Sequence, residues 1–593
     1  MKKIRIISAT PKIQVANPAY NATQIIALMQ KAHAEKAQLL VLPELCITGA
    51  TCGDLFFQPT LLNAAKVALG EIVEASYGMD MVVVVGLPII SEDMDAPQNV
   101  AAVIVNGCVV GMVHKSSDVC GKVFKCKEIP GFTFSVAIGE DATCKVDGQF
   151  MIINPTAYAE LVGAAGNRRE MAQFNSQALH QSIFVIATAG GGESTTDAVY
   201  PGHNIIAYKG EILAESLPFG DGWAAADIQL QEPQQFNKHE GILEFSLNES
   251  TLPSLPCYLQ GIENATLCEK RDVHPHPFIR LCPNPEEVLS IQATGLAARL
   301  SHTNGTAVIG ISGGLDSCLA LLVTVQAYQI LQRPVSEIVA ITMPCFGTTA
   351  HTKNNAHSLC TALGISCREI DITESVTLHL QDIGHPPDTF DIVFENAQAR
   401  MRTMVLMNVA NQANGSGIVI GTGSLSELAL GWATYNGDHM SMYAVNAGVP
   451  KTLVRHLVQH IAASCENTEL KKVLESILAT KVSPELLPTP QYTEDLVGPY
   501  ELHDFFIYHM LCERQTPTQI FHLASSAFAS KFENSVILHW MKTFYRRFFS
   551  QQFKRSCLPD GPQVMCISLS PRIGFQMPSD ASPAPWLAEL DAL

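Results

Sequence analysis

Two short stretches hold the residue types that chemistry needs. The first is S-G-G-L-D-S, residues 312–317, which follows the apolar run 307–311 and opens a helix-forming segment. Gly313 and Gly314 let the backbone approach an anion closely. Ser312, Ser317 and the free amides of a new helix donate hydrogen bonds, and the helix dipole favours negative charge. Asp316 makes little sense beside phosphates unless it holds Mg2+, which also neutralises them. No lysine follows the last glycine, so this is not a Walker loop. The bland alternative is a glycine-rich turn with an N-capping serine. The second stretch is S-V-A-I-G-E-D-A, residues 135–142, an apolar run that ends in Gly139 and then two acids. It has the form of a strand delivering a group to a reaction centre, yet Gly139 brings no side chain.

The elements around these stretches follow two grammars. From Arg5 to about Leu252, apolar runs at 5–9, 38–45, 81–88, 99–107, 132–139, 150–156 and 182–191 read as strands, with helices between them such as 21–36 and 168–181. Continuous apolar strands imply sheets covered on both faces, hence a layered α/β domain. Residues 254–280 are irregular and read as a connection. Strands at 307–311, 337–343, 367–372 and 417–423 then alternate with helices at 283–300, 316–330, 351–363 and 394–412, which predicts a parallel, doubly wound sheet. Residues 500–550 read as a helical, aromatic tail. The expected organisation is a domain at 1–253, a linker at 254–280 and a second domain at 281–593.

Bulk properties narrow the function classes. A chain of 593 residues exceeds one hydrophobic core. A formal net charge of -18 argues against nonspecific nucleic-acid binding, which needs a basic face. No run approaches the roughly 18 apolar residues of a membrane span, and the start has no signal-peptide pattern. The 17 cysteines lack paired zinc-type spacing and read as reduced thiols of a cytoplasmic protein.

S-G-G-x-D-S resembles the signature of the ATP pyrophosphatases, which adenylate a carbonyl oxygen and expel pyrophosphate. M-P-C-F-G-T-T-A-H-T-K-N-N-A (343–356), F-E-N-A-Q-A-R-M-R (394–402), G-T-G-S-L-S-E-L-A-L-G-W-A-T-Y-N-G-D-H (421–439), V-P-K-T-L-V (449–454) and F-K-R-S-C-L-P-D-G-P (553–562) narrow the resemblance to NAD+ synthetases of the glutamine-dependent, two-domain type. The resemblance implies a Rossmann-like ATP-pyrophosphatase domain. ATP would meet Gly310, Ile311, Ser312, Gly313, Gly314, Leu315, Asp316, Ser317, Thr422 and Lys451. Deamido-NAD+ would meet Asn396, Arg400, Glu427, Trp432, Ala433, Thr434, Tyr435 and Lys554, and Mg2+ would sit on Asp316 and Glu427. Arg402 shares a helix with Arg400. Asp438 reads equally as a ligand or a turn residue, and Ser424 stands where the family often has Asp or Asn. Taken singly, these lysines and arginines would read as solvated surface charges; their motifs reverse that. The implied reaction converts ATP, deamido-NAD+ and ammonia to NAD+, AMP and pyrophosphate through an acyl adenylate. A homo-oligomer is implied as well.

The first half resembles the nitrilase-type glutaminase domain of the same enzymes, a four-layer α-β-β-α sandwich, on 8–22, 42–56, 111–116, 168–171 and 190–197. Glu44 matches its base and Lys115 its charge-stabilising lysine. The family's nucleophile motif C-E-D aligns with G-E-D, so Gly139 takes the place of the nucleophile. A glycine forms no thioester, so the glutaminase is expected to be inactive and ammonia to be the direct nitrogen donor. The loop after Lys115 and the segment after Asp141 also depart from the family pattern. The alternatives are rescue by Cys46, Cys52, Cys120, Cys126 or Cys144, a different ATP-pyrophosphatase amidotransferase, and a non-catalytic assembly subunit.

Overall fold

Successive residues of a strand point to opposite faces, so an uninterrupted apolar run demands cover on both sides. Val82–Ile89 is such a run, and all eight residues are buried. The architecture comes from a computed structural model that describes residues 3–90, 96–115, 122–140, 151–161, 163–178, 183–196, 198–230, 242–248, 273–413, 416–489 and 491–593. Two compact units emerge, Met1–Leu267 with Met577–Leu593, and Cys268–Gln576.

The first unit contains β1 (Lys3–Ala9), β2 (Leu39–Val41), β3 (Val82–Ile89), β4 (Gln98–Val105), β5 (Cys108–His114), β6 (Val123–Cys126), β7 (Thr133–Val136), β8 (Met151–Thr156), β9 (Ile183–Thr188), β10 (Ile205–Tyr208), β11 (Glu211–Glu215), β12 (Trp223–Gln229) and β13 (Ile242–Phe245). They form one sheet of order β12-β1-β2-β3-β4-β5 and a second of order β11-β10-β9-β8-β7-β6-β13. Ile6, Val41, Val82 and Val84 pack with Phe124, Phe134, Met151 and Val185 in a core shared by both sheets. Their neighbours Ile7, Leu40, Val83 and Val85 face the other way, onto Ile25, Met29, Leu69 and Ile72 of helices Pro18–Ala34 and Pro59–Ala75. Ile152, Phe184 and Ile186 pack on Ala172 of helix Ala164–Ala178. The layers are therefore helix, sheet, sheet, helix, as the resemblance implied.

The second unit contains β14 (Thr306–Gly310), β15 (Val339–Thr342), β16 (Cys367–Glu369), β17 (Gly417–Gly421) and β18 (Tyr443–Ala444), in the order β16-β15-β14-β17-β18. Every pairing is parallel. Ala307 and Ile309 of β14 pack toward helices Pro285–Thr303, Leu315–Ile330 and Lys451–Ser464, while Val308 packs toward Ile392–Gln412. Both faces are covered, and the chain reverses its direction of travel between β14 and β17. That switch point is where doubly wound sheets bind ligands, beyond the carboxyl ends of the strands.

Two boundaries differ from the expected organisation. Residues 577–593 belong to the first unit rather than to a domain running to 593. There helix Ala584–Asp591 rests on Pro59–Ala75, with Trp586 and Leu590 buried. Most of the expected linker, 254–272, lies outside the described residues; Pro277–Arg280 is helical. Among the described residues no helix is long and apolar enough to cross a membrane.

Candidate active site

The loop after β14 turns on Gly313, whose φ is +80° and whose added Cβ would meet the Thr352 carbonyl oxygen at 1.9 Å. Only glycine fits. Ser317 Oγ accepts from the Ser312 N–H at 3.3 Å and donates to the Gly314 carbonyl at 3.1 Å, while Ser312 Oγ accepts from the Gly314 N–H at 3.2 Å. The serines thus brace the loop, which opens onto the start of helix Leu315–Ile330.

Asp316 lies on the first turn of that helix. Lys451, first residue of Lys451–Ser464, donates to Asp316 Oδ2 and, at 2.8 Å, to Glu427 Oε1. Glu427 comes from helix Leu425–Leu430 after β17 and also accepts from the Ser424 N–H at 3.0 Å. Burial works against the Lys451 charge, but Asp316 and Glu427 outweigh it and hold the ammonium well above its ordinary range. Burial and the neighbouring Glu427 push the Asp316 carboxyl up, with Lys451 pulling it back. Asp316 Oδ1 is buried with no hydrogen-bond partner among the described residues. Asn446 Nδ2 donates at 3.0 Å to both the Asp316 and the Thr422 carbonyls, tying the two loops together.

Beside this cluster a small cavity is lined by Gly423, Glu427, Ala433, Asp438, His439 and Pro559. Asp438 keeps an exposed surface, yet desolvation of its carboxyl pushes it up to about 6, although it accepts from the Thr434 N–H at 2.7 Å. Thr434 Oγ1 donates to Asn396 Oδ1 at 2.8 Å, and Arg400 Nε donates to the Tyr435 carbonyl at 3.2 Å. Tyr435 stacks on His439 and packs against Phe553. The guanidinium of Arg547 lies 5.2 Å from the Trp432 ring centroid. Lys554 Nζ donates to the Gly431 and Ala433 carbonyls at 2.8 and 2.7 Å, so it braces this loop with its own charge. Arg402 is turned elsewhere, onto the Met343 carbonyl at 3.2 Å. The sequence reading passed over Asn446, and also Tyr500, whose ring lies 5.2 Å from Lys451 Nζ.

In the first unit, three segments of one sheet and a turn of the other converge. Glu44 follows β2 and is buried. It accepts from Lys115 Nζ at 2.9 Å and from Asn99 Nδ2 at 2.5 Å. Lys115, just past β5, gives its own N–H to the Asn99 carbonyl at 2.9 Å. Gly139 lies beyond β7, which ends at Val136 rather than running to 139. Asn154 of β8 fixes that turn by donating to the Ala137 and Gly139 carbonyls at 2.6 and 2.9 Å. Gly139 has φ +60°, and a Cβ there would sit 2.9 Å from Lys115 Nζ. Glu44, Lys115 and the side-chain direction of residue 139 therefore meet at one point.

Among the described residues, Cys46 and Cys52 are engaged elsewhere. Cys46 hydrogen-bonds the Gly86 carbonyl at 3.8 Å and Cys52 the Thr48 carbonyl at 3.3 Å. Burial pushes Cys46 up to about 12, Cys52 further, and Cys126 up to about 11. Cys120 and Cys144, the loop 116–121 and the segment 141–150 lie outside the described residues.

Residues 293–548 match the family model described as NAD synthase. The chain is 35% identical to the glutamine-dependent NAD(+) synthetase of Mycobacterium tuberculosis, over 99% of this chain and 98% of that protein. Identity to the enzyme of the same name from Thermotoga maritima is 26%, covering 92% and 95%. A glutamine-dependent NAD+ synthetase structure from Acinetobacter baumannii aligns with 98% of this chain and 99% of its own at 20% identity, with a TM-score of 0.46.

Proposed function

Because the chain belongs to the glutamine-dependent NAD+ synthetase family, ligases that form a C–N bond, we propose that its second unit amidates deamido-NAD+ with ATP while its first unit hydrolyses no glutamine. The observation that carries this is the Asp316–Lys451–Glu427 cluster standing beside the Ser312–Ser317 loop at the switch point of the sheet.

The chemistry asks for positioning and charge compensation rather than a protein nucleophile. The amides and hydroxyls of 312–317 receive the phosphates of ATP. Asn396, Arg400 and Trp432–Tyr435 orient the nicotinate so that its carboxylate oxygen faces the α-phosphorus. The carboxylate displaces pyrophosphate, and the acyl adenylate is then attacked by ammonia, which expels AMP. Lys451 stays protonated throughout because its two carboxylate partners keep it so.

Asp316 and Glu427 suit Mg2+, which binds through one or two carboxylates plus substrate phosphates. The unpartnered Oδ1 of Asp316 fits that demand. When bound, the ion offsets phosphate charge and favours departure of pyrophosphate.

For the first unit, Gly139 beside Lys115 and Glu44 supports a glutaminase centre without its thiol, so free ammonia is the nitrogen donor. Assembly into a homo-oligomer belongs to the same reading. The test of the synthetase reading is pyrophosphate release with ATP, Mg2+ and ammonium. Release should require deamido-NAD+, and xanthylate should not replace it. Release with xanthylate, or none with deamido-NAD+, defeats it.

A further inference from the structure

Asp504 sits inside helix Tyr500–Leu511, followed by Phe505 and Phe506, and is 1% exposed. A carboxylate is tolerated there only if its oxygens are satisfied. Oδ1 accepts from Ser426 Oγ. Oδ2 accepts from the Thr452 N–H at 2.8 Å and from Thr452 Oγ1 at 2.7 Å. Ser426 Oγ in turn accepts from the Lys451 N–H at 2.8 Å. Ser426 immediately precedes Glu427, and Thr452 immediately follows Lys451.

One carboxylate therefore grips the two helix starts that carry Glu427 and Lys451. Helix Lys451–Ser464 begins after Pro450, which provides no side-chain cap. Its first amides are satisfied instead by Ser426 and Asp504, an anion at the positive end of the helix. We infer that Asp504 is a positioning residue for amide formation: it sets the spacing of Lys451 and Glu427 against Asp316. This rests on reading that cluster as the ATP·Mg2+ site.

Asp504→Asn keeps the shape but puts an amide N–H₂ where an acceptor is needed, toward either Ser426 or Thr452. The cluster should shift, and misplacement of about 1 Å already weakens catalysis on the order of a hundredfold. The experiment measures ammonium-dependent NAD+ formation by wild type, Asp504→Asn and Ser426→Ala, with thermal melting of each. The wild-type arm tests the underlying reading: an inactive wild type defeats that reading, whereas an active one leaves the variants to judge Asp504 alone. The expected result for Asp504→Asn is kcat down roughly tenfold or more, with KM for ATP·Mg2+ raised about fivefold and KM for deamido-NAD+ unchanged. Ser426→Ala moves the same two parameters less. It decides the matter alone if Asp504→Asn does not fold. A purely structural cap would lower melting temperature and active fraction while leaving KM for ATP·Mg2+ at its wild-type value. That outcome, or wild-type kinetics in a folded variant, overturns the inference.

Discussion

Lys451→Met removes a charge that keeps two half-buried carboxylates compatible. Lys451 has a side chain 4% exposed, and Asp316 and Glu427, its two partners, are 19% and 18% exposed. Methionine fills a similar volume, so packing changes little. What changes is electrostatic: Asp316 and Glu427 face each other with no cation between them. Breaking a buried pair by removing one partner costs about 3–5 kcal/mol. At roughly 2 °C per kcal/mol for a unit of this size, melting should fall by about 6–10 °C at pH 8. The pH dependence has a definite sign. Burial and Glu427 already hold Asp316 above its unfolded value, and losing the cation raises it further, so the folded state holds a proton the unfolded state releases. Stability then falls as pH rises through that window, and the deficit should be smaller at pH 5 than at pH 8. Thermal melting of wild type and variant at both values reads this directly. Equal deficits at the two pH values, or no deficit at pH 8, would refute the electrostatic reasoning.

Gly313→Ala drives a Cβ into the Thr352 carbonyl at 1.9 Å in a left-handed backbone, so the second unit should be recovered unfolded or without measurable pyrophosphate release. His503 is fully buried, and desolvation lowers it to about 4 although its Nε2 hydrogen-bonds the Val497 carbonyl at 2.6 Å. A depressed histidine contributes stability that is present above pH 6.5 and lost as pH falls toward 4, here roughly 3 kcal/mol in all. His503→Gln should flatten that part of the melting-versus-pH curve, and an unchanged slope would show that other groups govern it.

Much of both sites was legible because motif and element coincide. The glycine-serine loop lies between β14 and helix Leu315–Ile330, and Glu427 follows β17, so reading strand–turn–helix units located them at the switch point. Glu44 and Lys115 were legible only by resemblance; no spacing says that residues 71 positions apart share a hydrogen bond. Asn99, Asn154 and Asn446 went unread because a lone asparagine in a strand or loop has no periodic signature. Asp504 did leave one: an acid among Phe505, Phe506 and Ile507 on a helix buried nearly all round must be bonded, and asking to what leads to Ser426 and Thr452. Residues 577–593 were grouped with the second domain for a similar reason. Trp586 and Leu590 announce burial but not against which unit. Strand β18 has two residues, too few for any pattern.

The central claim is that amide nitrogen enters as free ammonia because residue 139 brings no thiol to Lys115 and Glu44. Purified protein, freed of ammonium, is given ATP, Mg2+ and deamido-NAD+ with either ammonium or glutamine, and NAD+ is measured. NAD+ should form with ammonium and stay at background with glutamine. NAD+ formation from glutamine, with glutamate released in equal amount, would contradict it.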